Sequence, residues 1–85
     1  MNRKPLKPVS WVMAGRILVA SILRQGNGRP SAPVRFTPYW TLLAERLGAP
    51  PPRPFASRHE AESFVMQWAT PRLPVPPQVW QQPPP

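Results

Sequence analysis

SWVMAGRILVASILRQGNG, residues 10–28, is the stretch on which the fold turns. Set out at about 100° per residue, Trp11, Val12, Gly15, Leu18, Val19, Ile22 and Leu23 fall in one stripe, the spacing of an amphipathic helix. Ser10 suits the N-cap, Gly26-Asn27-Gly28 tolerates the left-handed backbone that ends helices, and Arg24 stands in the last turn, where it complements the helix dipole. The pattern predicts a helix over 10–24. Met13 and Ile17 lie on its far side beside Arg16, so that face either packs a second layer or meets a partner.

Downstream, residues 29–36 read as a linker with a short extended piece at 34–36. Thr37-Pro38 then has the form of an N-cap followed by the first helical position, where proline's missing N–H costs nothing. Tyr39, Trp40, Leu43, Ala44 and Leu47 share a face before Gly48, and Pro50-Pro51-Pro52 forbids continuation. A second helix is predicted over 38–47; the competing pattern is a strand over 39–43 pairing with 53–55. Ser57-Arg58-His59-Glu60 is a capping box, with Phe55 and Ala61 placed as a hydrophobic staple. It opens a third helix over 58–69, with Ala61, Phe64, Val65, Trp68 and Ala69 inward and His59, Glu62, Ser63 and Gln67 outward, stopped by Thr70-Pro71. From Pro71 to Pro85 seven of fifteen residues are proline, which disfavours helix and central strand and favours polyproline II. Because this segment carries Leu73, Val75, Val79 and Trp80, Trp80 is expected to dock on the helical core.

The fold class read from these signals is mainly α: a small three-helix domain over 10–70 with proline-rich connections, a basic arm over 1–9 and a polyproline tail over 71–85. The alternative is a small α+β domain with a short hairpin of about 34–43 against 53–55.

Charge and composition narrow the function. Residues 1–35 carry Arg3, Lys4, Lys7, Arg16, Arg24, Arg29 and Arg35 with no acid, while 36–85 set four arginines against Glu45, Glu60 and Glu62. A field of one sign attracts polyanions. Cysteine is absent, so neither disulfides nor thiolate metal sites can staple the chain. One histidine, His59, no aspartate and two glutamates that point to different sides of a helix supply no triad, acid–base pair or metal set. No enzyme activity, cofactor, metal or small-molecule substrate is expected. The apolar run from Val9 to Leu23 follows a basic start, but Arg16 interrupts it and no small-residue cleavage site follows, so neither a leader nor a membrane span is expected and the location is taken as cytoplasmic.

Leu43-Ala44-Glu45-Arg46-Leu47-Gly48 resembles the first helix of helix-turn-helix DNA-binding domains. The nine residues 49–57, four of them proline, replace the short turn of that motif, and glutamates follow where bases would be met. A second pattern, Trp11 with Arg16 and Arg35 with Phe36, Tyr39 and Trp40, interleaves cations and rings as single-strand and RNA binders do. The expected function is therefore binding of nucleic acid or a nucleoprotein, with Arg3, Lys4, Lys7, Arg16, Arg24, Arg29 and Arg35 neutralising phosphates. The alternative is an inhibitor or adaptor of the phage or mobile-element kind, such as an anti-CRISPR protein, that blocks a host complex through Met13, Ile17, Leu42 and Trp80.

Overall fold

Residues 10–25 form a hairpin, not a helix. The structure, a computed structural model, describes residues 7–85. β1 (Pro8–Ala14) and β2 (Ile17–Gln25) run antiparallel, with Ala14 opposite Ile17, so Gly15 and Arg16 alone make the turn. Gly15 has φ +63° and Arg16 stays negative, the pattern of a type II′ turn, whose twist matches that of the strands it joins. β3 (Arg35–Trp40) pairs antiparallel with β2, and β4 (Pro77–Trp80) pairs antiparallel with β1, giving a four-stranded sheet in the order β3-β2-β1-β4. Two helices, α1 (Leu42–Arg46) and α2 (Arg58–Ala69), complete an α+β fold. The expected mainly α, three-helix domain is thereby corrected: the run over 10–24 is apolar on both sides, and folding it back on itself lets both sides be covered.

Irregularities in the register serve the core. Pairing slips between Pro8 and Ser10 and again between Val12 and Met13, so Val9 on β1 and Val19 on β2 are extra residues that pack towards the core beside Ser10 and Ala20. Val12, Val19, Ala20 and Ile22 are fully or almost fully buried and meet Ala61, Val65, Trp68 and Ala69 of α2. The alanines on both elements permit close approach, and the Trp68 ring packs tilted against Trp40, their centroids 4.9 Å apart. Phe55, Phe64 and Arg53 extend this aromatic group, Arg53 lying over both phenyl rings.

The second predicted helix begins later than Thr37-Pro38 implies. Those residues lie inside β3, where Thr37 donates its hydroxyl to Gln25 Oε1 at 3.0 Å. Phe36 exchanges backbone hydrogen bonds with Phe55 on the outer side of β3, so Pro38, two residues on, also turns its nitrogen away from β2 and costs no ladder bond. That single bridge is all that forms of the pairing between 34–43 and 53–55. Thr41 is the actual N-cap: its hydroxyl reaches the Leu18 and Val19 carbonyls at 3.0 and 3.1 Å, fastening α1 to β2.

α2 spans the predicted residues, and both halves of its capping box are present, Glu60 N to Ser57 Oγ at 3.1 Å and Ser57 N to Glu60 Oε2 at 3.2 Å. Ser57→Ala is expected to lower stability by about 1 kcal/mol. An unfolding midpoint equal to that of the unaltered protein would show that this cap contributes nothing. Glu62 departs from the outward face assigned to it: it is 8% exposed, with Arg58 Nε 3.5 Å from its Oε2.

The proline-rich segment is an edge strand in part. Arg72 donates to the Trp68 carbonyl at 2.7 Å and lies over its ring, turning the chain out of α2. Pro77 then opens β4 at the sheet edge, the position in a sheet that tolerates proline. Trp11 pairs with Trp80 and Val12 with Val79, so Val79 faces the core and Trp80 the other side of the sheet. Trp80 does dock, but beside Trp11 and not on the helices.

Candidate nucleic-acid interface

Both helices pack on one face of the sheet, and the opposite face carries no secondary-structure element among the described residues. Cross-strand partners share a face, so register alone says what that face presents. Trp80, Trp11, Ser21 and Tyr39 are successive partners across β4, β1, β2 and β3 and form one row. Strand spacing puts Trp11 and Tyr39 roughly 10 Å apart. Ser21, small and half-buried, lies between them on the same face.

Further along β2 and β3, Gln25 and Thr37 hold Tyr39 in place. Gln25 accepts from Thr37 Oγ1 through Oε1 and donates from Nε2 to the Tyr39 hydroxyl, each at 3.0 Å. With its oxygen already accepting, Tyr39 keeps its own O–H proton for an incoming acceptor.

The cations lie on either side of this row, at the two ends of the strands. Arg16 is exposed in the β1–β2 turn. At the other end stand Lys7, just before β1, Arg29 in the loop between β2 and β3, and Arg35, which pairs with Gln25 and so shares the open face. Gly26 starts that loop at φ +89°, where a Cβ would strike the Pro33 carbonyl, so a side chain there would force the loop and Arg29 to shift. Arg24 pairs with Phe36 and alternates onto the helix-bearing face, away from the row. Arg3 and Lys4 lie outside the described residues. Among the described residues the only ion pair is Arg58 with Glu62, so Lys7, Arg16, Arg29 and Arg35 have no acidic partner.

Of the rings and cations grouped by sequence, Trp11, Arg16, Arg35 and Tyr39 come together here, whereas Phe36 and Trp40 turn into the core. Ser21, Gln25 and Thr37 escaped sequence reasoning, because their place follows only from pairing. Of the residues expected to meet a protein partner, Ile17 and Leu42 are 53% and 61% exposed, but Met13 is 3% exposed and closed off. It lines a cleft together with Trp80 and the prolines at 84 and 85 instead of standing on the outer surface.

Comparison with family models, with curated proteins and with solved structures finds no match for this chain. No helix among the described residues is long and apolar enough to cross a membrane.

Proposed function

We propose that the protein binds single-stranded nucleic acid on the open face of its sheet. The observation that carries this reading is the row Trp80–Trp11–Ser21–Tyr39, with cations that have no acidic partner on either side of it and no acidic residue in it. Bases stack on Trp11 and Tyr39, a contact open to any base because each has a π-face. Phosphates meet Arg16 on one side and Lys7, Arg29 and Arg35 on the other. The Tyr39 hydroxyl donates to a phosphate or base acceptor. An open antiparallel sheet suits a strand whose bases are unpaired and turned outward, whereas duplex bases are stacked on each other and leave the rings nothing to receive.

Salt dependence tests this. Four or five phosphate contacts to a single strand imply a log–log slope of affinity against salt near −3. The measurement is fluorescence anisotropy of a labelled single-stranded homopolymer, repeated with the duplex. A slope shallower than about −1, or duplex binding as tight as single-strand binding, overturns the reading.

A second reading, a protein partner, is favoured by one observation. Thr41, bonded to the Leu18 carbonyl, sets Leu42 beside the start of β2, and Ile17, Leu42, Leu43 and Leu47 are all exposed. An inhibitor or adaptor that docks through these side chains would retain its partner after nuclease treatment.

A further inference from the structure

Beyond the row of rings, the open face holds a cleft of about 390 Å³ lined by Met13, Arg16, Trp80, Pro84 and Pro85. β4 runs from Pro77, opposite Ala14, to Trp80, opposite Trp11. The chain must therefore reverse through the bend at Gln81 and Gln82 to bring Pro84 and Pro85 back alongside Met13 and the turn that carries Arg16. The lining brings together an indole, two proline rings, a buried thioether and one guanidinium without an acidic partner. Flat apolar walls receive a planar ring, and a lone Arg receives an anion, bidentately where that anion is a phosphate. An amine ligand is disfavoured, since the lining side chains include a cation and no acid.

We propose that this cleft is a nucleotide site, taking one nucleobase against Trp80 and the prolines with its phosphate on Arg16. Its size is within the range of small-molecule sites. The proposal rests on the reading of the open face as a single-strand surface and extends it, because Trp80 adjoins Trp11 and the base held in the cleft is the one next to the base on Trp11.

The test titrates the full chain with uridine 5′-monophosphate, adenosine 5′-monophosphate, uridine and inorganic phosphate, followed by NMR at the Trp80 indole N–H and the Arg16 guanidinium. Both signals are expected to move with either nucleotide at lower concentration than with nucleoside or phosphate alone. Arg16→Gln, in an exposed turn, is expected to weaken nucleotide binding about tenfold, the scale of one charge-assisted hydrogen bond, and to leave uridine binding unchanged. Trp80→Leu is expected to weaken both, and Trp80→Phe, which keeps an aromatic face in β4, to restore most of the loss. A chain ending at Gln82 is expected to bind nucleotide less tightly. Tighter binding by that chain would make the prolines a competing lid and overturn their part as a wall. Nucleotide that moves Trp11 and Tyr39 while Trp80 and Arg16 stay still overturns the cleft and leaves single-strand binding standing. Nucleotide that moves Trp80 and Arg16 in a protein that binds no oligonucleotide overturns the single-strand reading instead.

Discussion

A chain ending at Thr70 is expected to melt at least about 10 °C below the full protein and to bind apolar dyes. The truncation deletes β4, and with it Val79 from the core and the cover over Met13. It also strips β1 of its outer hydrogen-bonding partner, turning a central strand into an edge. Burial of Val79 and Trp80 contributes about 2–4 kcal/mol, and in a domain of this size each kcal/mol corresponds to about 4–8 °C. Against a total stability of about 5–15 kcal/mol the loss is large. Point changes divide the effect. Val79→Ala, on the helix-bearing face, is expected to lower the melting temperature more than Gln78→Ala, on an exposed position of the same strand. Thermal unfolding by circular dichroism checks both; equal melting of the truncated and full chains would show that β4 is not part of the folded sheet.

The Trp11→Leu, Tyr39→Leu double variant is expected to lose at least about 25-fold in affinity for a single-stranded homopolymer, since each stacked base is worth about 1–3 kcal/mol. Leucine keeps each position apolar, and both rings lie on the face away from the core, so the fold is expected to survive. Tyr39→Phe retains the ring and removes the proton the hydroxyl has to offer, and a loss of only about fivefold is expected from one hydrogen bond. The salt slope is expected to stay unchanged in both variants, because no cation is touched. A folded double variant that binds as tightly as the unaltered protein would remove stacking from the account, leaving either pure electrostatics or the apolar surface around Ile17 and Leu42.

The part of this fold that was legible in advance is the part made by neighbours in the chain. The capping box of α2 closes within four residues, Ser57 to Glu60, and the helix face that follows is a property of its own spacing. The charge asymmetry is likewise a matter of counting, and the cations left without acidic partners follow from it. Gly15 also carried a usable signal. A glycine inside a supposed helix costs about 1 kcal/mol relative to alanine, whereas Gly-X between runs rich in Val and Ile is the form of a type II′ hairpin turn.

What could be read along the chain, then, was a capped helix over 58–69 and a run of charge of one sign over residues 1–35. Pairing across distance decided the rest. The run over 10–25 is apolar at ten of its sixteen positions, shared evenly between odd and even ones, so it satisfies a period of 3.6 and a period of 2 alike, and only partners select between them. Those partners are remote: β3 offers an edge on which Pro38 loses nothing, and β4, drawn from a proline-rich segment, brings Val79 to the core and Trp80 to Trp11. The open face is a product of the same pairing, since Trp11, Ser21, Tyr39 and Trp80 become neighbours only when four strands align. Local hydrogen bonds and net charge are short-range or additive and can be read along a chain. A sheet is neither, because each strand's face and register depend on which other strand it meets.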